Sequence, residues 1–198
     1  RNIGTVYGNL ITASPANDTI PALVALNAMV EIRSKANQRI VPLQDFYKGM
    51  RKTILKPAEM ITDLFFKPLQ ENQHSIFVKC MLRKIHAISL VNVAIILTMD
   101  KDVISSAVVT LGAVAPTILH ATHCEEYLQG KVLTNEVIQE AANLSVQDAN
   151  PITDIRASHE YRSHLISILV KNALNALANG EEKKDFPEKP VLLWGKKP

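Results

Sequence analysis

Three apolar runs, Ile76–Leu82, Ala87–Met99 and Val103–Leu111, most constrain what this chain can fold into. Each has the length and apolar content of a strand rather than a helix. The last two are separated only by Asp100-Lys101-Asp102, which leaves room for a tight turn and none for a crossover. They must therefore be antiparallel neighbours, and the three runs together predict an antiparallel sheet. Two helical patterns follow. Thr134–Ala149 has Thr134 as candidate N-cap, Glu136 in its first turn, and Val137, Ile138, Ala141, Ala142 and Ala149 as apolar positions. Ser158–Asn179 places Tyr161, Leu165, Ile168, Leu169, Ala173, Ala176 and Leu177 on one face and stops at Gly180.

Upstream the pattern is shorter and more mixed. Ile3–Thr12 reads as strand and turn, with Gly8–Asn9 in the turn. Asp18–Asn27 reads as a short helix that Asp18 caps. Met29–Arg33 and Ile40–Leu43, joined by the polar Ser34–Arg39, predict a hairpin. Asp45–Lys48 is a brief turn or helix, and Met60–Phe66 another strand. The polar stretch Lys67–His74 is the best boundary between two units, 1–68 and 74–180. The class is α+β. Glu181–Pro198 carries charges and three of the ten prolines; it is expected to be a flexible tail, with Val191–Trp194 as a docking peptide within it.

Composition excludes several functions. At 198 residues and 47% apolar content the chain can bury a core as one or two small domains. A net charge of +3, from 22 basic and 19 acidic residues, gives no nucleic-acid footprint. Cys80 and Cys124 make no disulfide framework, which points to a reducing, cytoplasmic compartment. The run Ala87–Met99 is interrupted by Ser89, Asn92 and Thr98 and is too short to span a bilayer. The start at Arg1 shows no signal peptide and no initiating Met, and is expected to reflect a fragment or a processed chain.

The residues that bear on chemistry lie at the start. A Gly-Asn pair in a tight turn lets backbone N–H groups approach a planar or anionic ligand, and Asp18 stands at a helix start. The order of residues in RNIGTVYGNLITASPAND (1–18) resembles the FAD-binding subunit of the molybdenum hydroxylases, the family of xanthine dehydrogenase, aldehyde oxidase and aerobic carbon monoxide dehydrogenase. Four further stretches extend the resemblance in the same order: DFYKGMRKTIL (45–55) with Pro57 and Glu59 after it, RKIHAISLVNVA (83–94), LGAVAPTILHATHCEEYLQGK (111–131), and the D-x-R-A-S-x-x-Y-R pattern from Asp154. Each is weak alone; their collinearity is specific.

The resemblance implies the back half of a two-subdomain flavin-binding domain, followed by a carboxy-terminal domain of antiparallel sheet plus helices. It implies FAD as cofactor, contacted by the motif Thr5, Val6, Tyr7, Gly8 and Asn9, by Thr12, by Asp18 at the ribityl or ring edge, by Ile61 and by Lys79. A cation such as Lys79 beside the ring favours electron density on the reduced flavin. Ile88 falls in the loop that lies against one flavin face in the family. Taken alone, Gly8–Asn9 is equally a hairpin turn, Asp18 a cap, Thr5 and Thr12 strand threonines, Ile61 core, and Lys79 a solvated strand lysine. Tyr7 occupies a glycine position of the family motif, where a left-handed backbone would cost on the order of 1 kcal/mol or more. No glycine-rich pyrophosphate loop occurs in this sequence, so FAD is expected to be held weakly by these residues unaided.

Partners follow from the same resemblance. Substrate is hydroxylated at a molybdopterin centre on one partner subunit, and electrons cross [2Fe-2S] clusters on an iron–sulfur subunit, reach FAD here, and leave for an external acceptor. The other reading is a non-catalytic docking module derived from that subunit that no longer binds FAD. His120, His123, Cys124 and Glu125 are ligand types that zinc accepts, but no second spaced pair answers them, and no metal is assigned. His159 and His164 read as solvated. No nucleophile elbow occurs, so no catalytic side chain is named.

Overall fold

The computed structural model describes residues 4–83 and 87–184. The expected docking segment at 191–194 and His86 lie outside the described residues. The first element is a helix, α1 (Val6–Thr12), where a strand and turn were expected. Thr5 is the reason. Its backbone is extended, and its Oγ1 accepts the Gly8 N–H at 2.9 Å, which is an N-cap. Ala13 closes the helix in the left-handed conformation at φ 49°. Gly8 and Asn9 are thus helical, and Tyr7 is free of the left-handed strain that its glycine-motif position suggested. The next helix, α2 (Thr19–Ala25), follows Asp18, whose side chain makes no capping bond.

The hairpin forms as expected from β1 (Met29–Arg33) and β2 (Gln38–Pro42), paired antiparallel. A 3-10 turn at Leu43–Phe46 leads into the short pair β3 (Tyr47–Gly49) and β4 (Lys52–Thr53). Then β5 (Met60–Phe65) joins the free side of β1, giving the order β2-β1-β5. Val30 and Ile32 of β1 alternate inward and, with Leu10, Ile20, Leu43, Phe46 and Ile61, make the first core.

The second sheet has the order β6-β7-β8-β9, from β6 (Gln73–Met81), β7 (Ser89–Asp100), β8 (Val103–Gly112) and the two-residue β9 (Leu119–His120). The turn between β7 and β8 places Lys101 at φ 57°, as the tight connection requires. β7 is buried continuously from Ser89 to Leu97 because both of its faces are covered. Val93, Ile95 and Leu97 pack in the core that includes Ile138, Ile166 and Val170, while Ala94 and Ile96 meet Ala25 and Leu26 of α2. That is why an antiparallel strand reads as an unbroken apolar run.

Three helices cover the inner face rather than the expected two. α3 (Thr122–Leu128) escaped the sequence because its cap is tertiary: Asp148 accepts from Thr122 Oγ1 at 2.8 Å and from the His123 N–H at 3.1 Å. α4 (Asn135–Leu144) has the expected Thr134 cap but ends before Ala149, with the Ser145 hydroxyl donating to the Ala142 carbonyl at 2.7 Å. α5 (His159–Ala178) has the Ser158 cap and stops before Gly180 at φ 66°. Its buried face differs from the expected one: Arg162, Leu165, Ile166, Val170, Ala173, Leu174 and Leu177 face the core, and Tyr161 and Ile168 face solvent. The buried stripe is thus displaced by about one position from the expected one, with Arg162 inside it.

The two parts meet where α2 lies on the outer face of β7 and β8. The buried Thr110 hydroxyl on β8 donates to the Pro21 carbonyl of α2 at 2.9 Å, and the Ala113 N–H donates to the Pro15 carbonyl at 2.8 Å. Gly112 lets this seam close: a Cβ there would stand 2.1 Å from Asn92 Oδ1, 2.9 Å from Pro21 Cγ and 3.0 Å from the Pro15 carbonyl oxygen.

Candidate functional site

Asp18 and Lys79 come together across the seam, 61 residues apart in sequence. Lys79 lies on β6 opposite Asn92 of β7, on the sheet face that α2 covers. Its Nζ donates to Asp18 Oδ2 at 2.5 Å and to the Ala87 carbonyl at 3.1 Å. The other carboxylate oxygen, Asp18 Oδ1, accepts from the Ser89 hydroxyl at 2.6 Å. Ser89 is buried, while the side chains of Lys79 and Asp18 keep 22% and 41% of their surface open, enough to meet a ligand. Lys79 is therefore neither a solvated strand lysine nor a free cation, and Asp18 is not a cap but a bridge.

The motif helix is tied to the same place. Thr19 Oγ1 donates to Asn9 Oδ1, and Asn17 Nδ2 donates to the Asn9 carbonyl at 2.7 Å, so Asn9 straps α1 to the start of α2 beside Asp18. Thr12 Oγ1 returns a bond to the Gly8 carbonyl at 2.7 Å, and Thr5 caps the helix. Val6 and Tyr7 are exposed on its first turn, whose leading N–H groups have no intrahelical acceptor. Ile61 stands apart. Its side chain is consumed by the first core, leaving only its backbone for any ligand. Ile88 is half exposed next to Ser89.

Ser89 was not among the expected candidates although the sequence carried a signal: a hydroxyl interrupting an apolar strand. It also lines a cleft of about 580 Å³ between the two parts, with Thr12, Ser14 and Asn17 on one wall and Ile88 and Arg156 on the other. The cleft falls within the ~300–1,000 Å³ typical of small-molecule pockets. Its floor is held by Arg162, 3% exposed, which donates Nη1 to the Leu90 carbonyl at 2.7 Å and to the Ala113 carbonyl at 3.2 Å. Arg162 Nη2 donates to Asp154 Oδ1 at 2.9 Å. Desolvation raises the Asp154 pKa, but the Arg156 N–H, the Arg162 guanidinium and the Ala157 N–H outweigh it and hold the carboxyl below its ordinary value.

The His-x-x-His-Cys run has other work. His120 pairs with Glu125 at 2.8 Å, His123 pairs with Asp148 at 2.9 Å, and Cys124 is fully buried, its thiol pushed up to about 12 by burial and then by Glu125 and Asp148. Among the described residues no group of three or more His, Cys, Asp or Glu side chains is placed to hold a metal ion.

This geometry has relatives. Residues 1–67 match the FAD binding domain in molybdopterin dehydrogenase, and residues 76–177 match the CO dehydrogenase flavoprotein C-terminal domain. The chain belongs to this flavoprotein family. Among known proteins it is 28% identical to the xanthine dehydrogenase FAD-binding subunit of Escherichia coli O157:H7 over 177 residues, covering 88% of this chain and 60% of that protein. It is likewise 28% identical to the carbon monoxide dehydrogenase medium chain of Afipia carboxidovorans, with 88% and 60% covered. Quinoline 2-oxidoreductase from Pseudomonas putida 86 superposes with a TM-score of 0.84 at 28% identity, over 91% of this chain and 62% of that one. The chain thus spans about 60% of the length of the curated relatives it matches. The two-part architecture of the flavoprotein family accounts for the two sheets and their order.

Proposed function

We propose that the chain is part of the FAD-binding electron-transfer subunit of a molybdenum hydroxylase, working beside an iron–sulfur and a molybdopterin-binding subunit, with residues 1–68 and 74–180 as its two units. The observation that carries this reading is the Asp18–Lys79–Ser89 cluster, assembled from both family segments beside the motif helix. The donor set fits FAD: Lys79 supplies a cation for ring carbonyls, Asp18 an acceptor for ring or ribityl protons, and Thr5, Thr12 and Asn9 a polar helix alongside. Bound FAD supplies the two-electron store that links one-electron carriers to an external acceptor.

The chain's own residues position and tune. Ser89 and Lys79 hold the Asp18 carboxylate from both oxygens, so its orientation is fixed before any ligand arrives. Pairing with Asp18 also turns Lys79 from a lone positive charge into one end of a dipole, so its pull on the ring is weaker than that of a free lysine. Tyr7, unstrained in α1, gives no support to the reading of a docking module that has lost FAD. The test is Lys79→Ala in the assembled enzyme. Stability falls by about 1 kcal/mol or less, as for a partly exposed ion pair, and the flavin midpoint potential becomes more negative. An unchanged potential removes Lys79 from the ring edge; an assembled complex without flavin refutes the reading altogether.

A further inference from the structure

An amide buried in the seam is unpaired. Asn92 on β7 is fully buried, and neither its Nδ2 nor its Oδ1 has a hydrogen-bond partner among the described residues. Burying an amide without a partner is destabilising, and the large majority of buried polar side chains are paired. An apolar residue of similar shape would serve the fold as well or better. Ala94 and Ile96 show what the covered face of this strand holds further along. The amide at position 92 therefore points to a partner in another state of the site.

Its neighbours on the sheet identify that partner. Asn92 pairs with Lys79 of β6 on one side and with Gly112 of β8 on the other, so the three positions share the face that α2 covers. The amide leans toward β8, over Gly112, where a Cβ would stand 2.1 Å from its Oδ1. On the β6 side, cross-strand partners stand about 4.5–5.5 Å apart at Cβ, within reach of a long side chain. A lysine ammonium has three donor protons. Among the described residues Lys79 Nζ has two acceptors, Asp18 Oδ2 at 2.5 Å and the Ala87 carbonyl at 3.1 Å. Lys79 thus has a spare donor and Asn92 a spare acceptor, one strand apart on the same face. The chemistry of the acceptor matters. A ligand that donates protons to the Asp18 carboxylate weakens its hold on Lys79. A neutral amide can then hold the ammonium without cancelling its charge, which a second carboxylate could not do.

We propose that Asn92 is a positioning residue for Lys79. When a ligand engages Asp18, the amide turns away from Gly112 and its Oδ1 accepts from Lys79 Nζ, holding the cation at the ring edge with its charge uncancelled. The ring as that ligand rests on the flavin reading; the exchange of partners does not. Asp18→Ala imitates the engaged state in the flavin-free full chain, and urea unfolding reads the result. With Asp18 intact, Asn92→Leu leaves the urea midpoint unchanged or raises it. In the Asp18→Ala background the same change strands Lys79 and makes the unfolding equilibrium constant at least about threefold larger, because the two sites are now coupled. Asn92→Ala goes through the same cycle, so that crowding by leucine is separated from loss of the amide. Equal effects in the two backgrounds overturn the proposal, as does failure of both Asn92 variants to fold while Asp18 is intact. In the assembled enzyme Asn92→Leu makes the flavin midpoint potential more negative, and it adds nothing once Lys79→Ala is present. An unchanged potential, or a shift that persists without Lys79, also overturns it. A wild-type complex without flavin refutes the flavin reading alone, and the cycle on the flavin-free chain still decides the pairing.

Discussion

Arg162→Met tests how the cleft floor is built. The guanidinium is 3% exposed and serves three acceptors, the carbonyls of Leu90 and Ala113 and the carboxylate of Asp154. Leu90 falls at the register shift where Cys80 pairs with Val91 and Met81 with Ser89, so it has no partner residue on β6 and relies on Arg162. Met keeps the apolar stem but strands the Leu90 carbonyl in the core, at a cost of about 1–3 kcal/mol. The Asp154 side chain is 20% exposed, so losing its pair adds only about 1 kcal/mol. Relief from desolvating a guanidinium offsets part of the total. The net loss is about 1–3 kcal/mol, or roughly 2–12 °C in melting temperature for a chain of this size. The assay is urea and thermal unfolding of the full chain, with Arg162→Lys as control. Lysine reaches one acceptor instead of a fork and should recover only part of the loss. A change within about 0.5 kcal/mol for Arg162→Met, the level of an ordinary surface substitution, would refute the claim that this side chain holds β7, the segment after β8 and the Asp154 turn together.

Gly112→Ala is expected to destabilise by about 1–3 kcal/mol. Asn92 can swing away from a new Cβ but the Pro15 carbonyl and Pro21 ring cannot, and a variant melting like wild type would show that the seam has slack. Asp148→Ala should cost about 1 kcal/mol by uncapping α3, measured as a loss of urea midpoint at neutral pH. Desolvation raises the Asp148 pKa, but bonds from Thr122 and His123 lower it further, to below the ordinary value. Its stabilisation is therefore present above the unfolded aspartate value and lost as pH falls through the folded one, so the gap between wild type and Asp148→Ala should begin to narrow near about pH 4 and close only below the folded-state value. A gap that persists into acid would mean that the effect is packing and not charge.

Periodicity carried the second sheet and the ends of α5, because those signals are local: a run, a two-residue turn, a serine before and a glycine after. It failed where the deciding contact was distant. α3 has no cap within its own sequence; its cap lies 26 residues on, in Asp148. α1 was misread because Val6, Ile11 and a Gly-Asn pair suggest a strand and turn, while Thr5, the residue that fixes the helix, also suits a strand. The order of the motifs named Asp18 and Lys79 as candidates, but not their contact with each other. Nothing local to Asp18 shows that its partners are Lys79 and Ser89 instead of the helix it precedes. Nothing local to Arg162 shows that it is buried; a strand irregularity far away, at Leu90, makes its burial useful.

The polar residues on the covered face of β7 and β8 explain why the site has a defined geometry. Apolar contact between Ala25 or Leu26 and Ala94 or Ile96 is non-directional and would let α2 slide along the sheet. Two directional bonds forbid this. Thr110 grips the carbonyl of Pro21 within α2, and Ser89 grips the carboxylate of Asp18 just ahead of it. One bond fixes where the helix lies on the sheet and the other fixes how its leading residue points. Both hydroxyls come from strands whose inner faces are locked by the large core beneath α4 and α5. The position of Asp18 relative to Lys79 is thus inherited from the rigid second sheet, although Asp18 belongs to the first part of the chain. The proposed flavin site needs its charges fixed and not reorganising, and the fold meets that need by placing the adjustable element, α2, on the rigid second sheet.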